Sequence, residues 1–129
     1  DGSASNDTGN LIGEARQTLL LQRVENGADA MSADEALFIA TRGGAQVLGR
    51  SDVGQIAVGQ RADIAVWDAG GVESAGSWDP AALVLAGPGK VRDLFVEGRH
   101  VVAGGMMTTI NLPMVIAKQN SLARALMES

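Results

Sequence analysis

The residues best suited to chemistry stand at the front of the chain. Asp1-Gly2-Ser3-Ala4-Ser5-Asn6-Asp7 puts a carboxylate ahead of small, turn-forming and hydroxyl residues. Asp1, Asn6 and Asp7 offer oxygen donors, and the Gly and Ser between them let a ligand or metal approach closely. Such a stretch suits a loop leaving an active-site strand, the place where α/β enzymes keep their reacting groups. A carboxylate there could hold a metal ion or take and return a proton. Spacing alone favours a plainer role for Asp1, that of a loop or capping aspartate. The same holds for Ser3, Ser5, Asn6 and Asp7, because Ser, Asn and Asp build turns and helix caps through local backbone bonds.

The loop must be carried by ordered elements, and the periodicity supplies them. Leu11, Ile12, Ala15, Leu19 and Val24 recur at helical spacing, with Glu14, Arg16, Gln17 and Arg23 on the other faces. Asn26-Gly27 stops this first helix. Ser32-Ala33-Asp34-Glu35 is a capping box that opens a second helix, with Ala33, Leu37, Ala40, Gly44, Val47 and Leu48 on its apolar face. The Gly43-Gly44 pair costs about 1 kcal/mol per residue in a helix interior, which points to close backbone packing. Gly49 closes the helix.

Beyond Gly49 the period changes to short β-branched runs. Gln55-Ile56-Ala57 and Ala62 to Trp67 read as strands, the second largely covered on both faces. Ala81 to Ala86 is an apolar strand or a short turn of helix, and Gly87-Pro88-Gly89 is a turn. Val91 to Val96, Glu97-Gly98 and Arg99 to Ala103 form a hairpin, because a two-residue loop with Gly second matches the twist of paired strands. Met106 to Ile110 adds a strand, and Asn111-Leu112-Pro113 starts a helix running to about Met127. Met114, Ile116, Leu122, Ala125 and Leu126 on that helix read as packing surface.

Composition narrows the function. The net charge of -5, from 15 acidic and 10 basic residues, leaves no basic cluster for a nucleic-acid partner. With no cysteine, disulfides, thiolate nucleophiles and Cys-ligated zinc drop out, and a reducing, cytoplasmic compartment is the expectation. No apolar run of about 18 residues suggests a membrane span. Aromatics make up only 3% of a chain that is 46% hydrophobic, so we expect part of its apolar surface to meet partners outside this chain. The lone His100 sits in the hairpin and reads as a sheet residue with no catalytic role.

Four stretches together carry a family resemblance. They are Asp1 to Asp7 with Glu14-Ala15-Arg16-Gln17; Ala36 to Gly49 with Ala40-Thr41-Arg42-Gly43-Gly44-Ala45; Asp52-Val53-Gly54-Gln55-Ile56-Ala57-Val58-Gly59 with Ala62-Asp63-Ile64-Ala65; and Val91 to Gly98. Over nearly its whole length the chain resembles the C-terminal part of an amidohydrolase-superfamily enzyme, nearest to the 8-oxoguanine deaminase and hydroxyatrazine ethylaminohydrolase group. The resemblance implies an α/β fold: the last helices of a metal-dependent-hydrolase (β/α)8 barrel over residues 1–50, strands of a composite β-sandwich subdomain over 51–110, and a C-terminal helix over 111–129.

It further implies hydrolytic deamination of a purine- or triazine-like ring, with Asp1 as both metal ligand and catalytic proton shuttle. The cofactor would be one divalent ion, zinc with iron as the alternative, its other ligands lying outside this chain. A chain with one histidine cannot complete that site, so the segment alone is expected to be inactive. The implied partners are a small heterocyclic substrate and the preceding barrel portion of the same protein, and homo-oligomers are common in the family. The third stretch is shared with other branches, such as imidazolonepropionase and dihydropyrimidinase. A non-catalytic β-rich interaction domain is the rival reading from another class.

Overall fold

The computed structural model describes residues 9–86 and 89–128. Helix α1 spans Leu11–Asn26, opened by the Asn10 side chain, which accepts the Gly13 N–H at 3.1 Å. Asn at this position satisfies a backbone donor that the first turn would otherwise leave orphaned. Gly27 ends the helix at φ 105°. The expected capping box is present before α2 (Ala33–Phe38): Ser32 Oγ accepts the Glu35 N–H at 3.2 Å, and Glu35 Oε2 accepts the Ser32 N–H at 2.7 Å.

The second helix is not one continuous α-helix. A π-helical turn, Ile39–Gly43, joins α2 to α3 (Gly44–Val47). One extra residue in a turn rotates everything after it by about 100°, the angle each residue occupies around an α-helix. The expected apolar face therefore breaks: Ala33 and Ala36 are buried before the turn, but after it Ala45 points inward while Val47 and Leu48 are exposed. Nor do Gly43 and Gly44 mark close packing against another element, since a Cβ on either would meet only Phe38 and Ile39 of the same helix.

Strand β1 covers Ile64–Asp68, α4 Pro80–Ala86, β2 Lys90–Val96, β3 Arg99–Ala103, β4 Met106–Met107 and α5 Leu112–Met127. The four strands form one antiparallel sheet in chain order, with Ile64 opposite Phe95 and Val96 opposite Arg99. Glu97 and Gly98 carry φ of 50° and 76°, the left-handed pair that a tight two-residue hairpin demands, so the expected Glu97-Gly98 turn is present. Two expectations need correction. Gln55-Ile56-Ala57 forms no strand: it does not take up the outer edge of β1, which pairs only with β2, and lies instead in a loop closed by the Arg61 N–H on the Asp52 carbonyl. The strand at 64–68 is not covered on both faces either, since Ala65 and Asp68 are exposed. The ambiguous 81–86 run is helical, with the Asp79 carboxylate accepting the Ala81 N–H at 2.9 Å. Within the expected 87–89 turn, Gly87 and Pro88 lie outside the described residues.

The core lies among α1, α2 and α4. Ala15, Leu19, Ala33, Ala36, Ala81 and Leu85 pack there, flanked by Ile12, Met31, Leu37 and Ala40. Four of the six buried residues are alanine, so the helices sit close with little side-chain volume between them.

Candidate functional site

The sequence placed its chemistry at Asp1, with Ser3, Ser5, Asn6 and Asp7 as neighbours. All five lie outside the described residues. The described chain takes up at Gly9 and runs directly into α1, whose N-terminal turn is fixed by Asn10. A cleft of about 450 Å³ opens beside this N-terminus, between α1, Leu85 of α4 and the Trp67, Gly89 and Val91 edge of the sheet. Arg16 is its one charged lining residue. A second cleft of about 460 Å³ shares Arg16 and Leu85 and runs between α1, α2 and α4. Asp79 and Ser32 line it, and Arg23 Nε donates to the Met31 carbonyl at 2.8 Å. The hydroxyl and carboxylate of the second cleft are engaged as helix caps, Ser32 with Glu35 and Asp79 with the Ala81 and Ala82 N–H groups.

Among the described residues no group of three or more His, Cys, Asp or Glu side chains is arranged to hold a metal ion. His100 belongs to the sheet: its Nε2 lies 2.9 Å from Asp93 Oδ1, and its ring stacks on Phe95 with centroids 4.4 Å apart. Arg92 also bonds Asp93 at 2.8 Å. The Arg92 hydrogen bond first, and the His100 contact second, hold the Asp93 carboxyl below the usual aspartate range. This cluster fixes the hairpin rather than facing a cleft, since Asp93 Oδ1 also accepts the Gly104 N–H at 3.3 Å.

The Asp52 to Gly59 stretch of the family resemblance lies between Arg50 and Arg61. In the structure it is a clamp. Arg50 forks onto Asp52 at 2.9 and 2.7 Å, and that paired hydrogen bond lowers the Asp52 carboxyl pKa. The Arg61 N–H reaches the Asp52 carbonyl at 2.8 Å, and the Arg61 guanidinium pairs with Glu97. Asp63 Oδ1 accepts the Glu97 N–H at 2.7 Å, so the loop grips the β2–β3 turn. At its other end Gly54, with φ 90°, rests on the π-helical turn: a Cβ there would lie 3.0 Å from both the Thr41 carbonyl oxygen and the Ala45 Cβ. Charged pairs at spacings of two and 36 residues are visible in the sequence, but which of them meet depends on the loop path.

The helical layer of α1, α2 and α4 thus stands beside an antiparallel sheet, with this clamp between the π-helical turn and the β2–β3 turn. Residues 1–101 match the Amidohydrolase family, and the chain belongs to it. Across 98% of its length it is 42% identical to the 8-oxoguanine deaminase of Pseudomonas aeruginosa, of which it covers 28%. It is 35% identical to a 5-methylthioadenosine/S-adenosylhomocysteine deaminase of Desulforudis audaxviator, matching over 100% of this chain and 31% of that protein.

Solved structures agree in shape. An adenosine deaminase from Xanthomonas campestris with bound zinc superposes with a TM-score of 0.91 at 26% identity, over 100% of this chain and 30% of that one. A variant of the atrazine chlorohydrolase from Arthrobacter aurescens, complexed with zinc and atraton, gives 0.86 at 37% identity, over 94% of this chain and 28% of that one. The chain thus has the fold of a partial α/β segment of a (β/α)8-barrel hydrolase, and it spans less than a third of the length of the curated relatives it matches.

Proposed function

We propose that this chain is the C-terminal segment of a metal-dependent hydrolase that deaminates a purine-like ring. The observation that carries the reading is the 42% identity to an 8-oxoguanine deaminase, sustained over 98% of the chain rather than confined to one motif. A triazine ring is the second reading, favoured by the 37% identity to a triazine-acting relative crystallised with atraton. In this reading residues 1–50 close the barrel, 51–110 build the β-sandwich subdomain and 111–129 form the terminal helix. The absence of cysteine suits a cytoplasmic setting, and among the described residues no helix is long and apolar enough to cross a membrane.

Asp1 is the residue we assign to chemistry, both as metal ligand and as proton shuttle. The other ligands are assigned to a portion of the protein outside this chain, whose single histidine, His100, is engaged with Asp93 in the sheet. A divalent ion, zinc by analogy with the two solved relatives, would acidify water and polarise the ring. The Asp1 carboxylate takes a proton and returns it to the departing amine, a role that asks for a carboxylate whose position is fixed.

The test is made on the full-length protein loaded with zinc. Ammonia release is followed with 8-oxoguanine, other aminopurines and aminotriazines. We expect turnover of a purine, and a loss of about 10²–10⁴-fold in kcat for Asp1→Asn with the bound metal quantified alongside. Release from none of these rings would remove the deaminase reading, and full activity in Asp1→Asn would remove Asp1 from the chemistry.

A further inference from the structure

Within the second helix the hydrogen-bond step lengthens from four residues to five. The Ile39 N–H still reaches the Glu35 carbonyl, while the Gly44 N–H reaches the Ile39 carbonyl. Such turns are rare, and each needs a cause. Thr41 offers a local one: its Oγ1 donates to the Leu37 carbonyl at 2.6 Å, the acceptor that a Thr41 N–H takes in an α-helix. That bond is not sufficient. Thr18 makes the same one to the Glu14 carbonyl at 2.9 Å, and α1 stays α-helical throughout.

What sets the second helix apart is a glycine loop seated on its backbone. A Cβ on Gly54 would lie 3.0 Å from both the Thr41 carbonyl oxygen and the Ala45 Cβ, and 3.1 Å from the Arg42 Cα, whereas no described glycine approaches the α1 backbone in this way. The seat spans the π turn and the residues just beyond it. In an α register Ala45 would swing by about 100° and leave the loop, so the contact belongs to the five-residue step alone. The loop is itself anchored. At one end the Arg50 N–H donates to the Ala45 carbonyl at 2.9 Å, and at the other the Arg61 N–H donates to the Asp52 carbonyl at 2.8 Å. Arg61 pairs with Glu97, Asp63 Oδ1 accepts the Glu97 N–H at 2.7 Å, and the Gly98 N–H reaches the Ala62 carbonyl at 3.0 Å, which ties the loop to the β2–β3 turn.

We propose that residues 50–61 form a latch that holds the second helix in its π register, so that the β2–β3 turn, acting through Arg61 and Asp52, sets the direction in which α3 leaves the helical layer. The device has two states. In the latched one, residues 39–43 form the π turn and Ala45 points inward. In the released one, the same residues run on as α-helix and Ala45 leaves the Gly54 seat. Thr41 fits either state, because Thr18 keeps its back-bond in an unbroken α-helix. The latch is independent of Asp1 and of any reaction, since it is a matter of backbone register.

Crystal structures of the full-length protein separate a latched turn from an intrinsic one. The wild type is expected to show residues 39–43 as a π turn with Gly54 seated on it. In Gly54→Val, whose side chain blocks the seat, the π turn is expected to give way to continuous α-helix, with Ala45 turned by about 100°. A π turn retained beside a displaced loop would overturn the proposal, and so would an unbroken α-helix in the wild type. Thr41→Val is expected to keep the π turn; its collapse there would move the cause to the Thr41 hydroxyl and overturn the latch. If Gly54→Val does not fold, Asp52→Ala combined with Arg61→Ala loosens the latch without crowding it. Amides of residues 43–47 are then expected to exchange roughly threefold or more faster than in the wild type while those of α1 keep their rates, and equal rates in both segments would count against the latch decisively.

Discussion

The helical layer and the sheet of this chain are built on different terms. α1, α2 and α4 bury Ala15, Leu19, Ala33, Ala36, Ala81 and Leu85 against one another, a core supplied entirely by this segment. No described residue of the four strands is buried, and none of α5 is. The sheet keeps its order through backbone pairing, tight turns and polar clamps, while Val96, Met106 and Met107 remain exposed. Hydrophobic burial is the dominant favourable term in folding, so the helical layer carries its own stabilisation and the sheet depends on what covers it. The difference teaches that the segment is one self-packed block with a scaffold attached. The scaffold's apolar side chains, Val96, Met106 and Met107 among them, stand open in this chain.

Three measurements break or sharpen that contrast. The largest effect belongs to Leu85→Ala in the full-length protein. Leu85 is only 1% exposed at the junction of α1, α2 and α4, and deleting such a side chain costs about 2–5 kcal/mol. Urea unfolding should show the loss as a lower midpoint. A cost below about 1 kcal/mol would mean that the helical layer is not self-packed.

Gly54→Ala comes next and probes the seam between the two regions. Its φ of 90° is one that L-residues rarely adopt, and the added methyl would press on the Thr41 carbonyl and Ala45. A destabilisation of roughly 1–3 kcal/mol is expected from the combined strain. Thermal unfolding reads it directly, and an unchanged Tm would show that the loop can lift off the helix without cost.

The smallest effect concerns the sheet alone. The Asp93 pKa is lowered in the folded state by Arg92 and then His100, so its carboxylate stabilises the hairpin at pH values above the ordinary aspartate value of about 3.9. That contribution is lost as the pH falls through the lowered folded value. Amide protection of β2 and β3 should therefore weaken between pH 6 and pH 3 in the wild type. In Asp93→Asn it should be weaker at pH 6 and should fall no further from this source on acidification. Equal pH dependence in both proteins would show that Asp93 does not hold the hairpin.

Local signals were legible wherever one or two residues decide the backbone. The Ser32–Glu35 box, the Gly27 and Gly49 stops, the Glu97-Gly98 turn and the start of α5 at Asn111 all appear where the sequence puts them. Each depends on hydrogen bonds or φ preferences within a few residues. The failures are of the other kind. The π-helical turn at Ile39–Gly43 seats the Gly54 loop, which arrives eleven residues later, and nothing in the 33–48 periodicity announces it. Gln55-Ile56-Ala57 has strand composition but stays in the closed loop rather than adding to the edge strand β1. The proposed site is a pattern of residue types around Asp1, which lies outside the described residues.

What the sequence determined by itself is therefore the punctuation of the chain and its family. These follow from local backbone preferences and from a residue pattern that persists along the chain. Tertiary structure alone decided that the Asp52 to Gly59 signature is a clamp, that Ala45 rather than Val47 turns inward, and that α5 stands uncovered. Those outcomes depend on which distant segments meet, and meeting is settled by packing and loop path, which no local periodicity encodes.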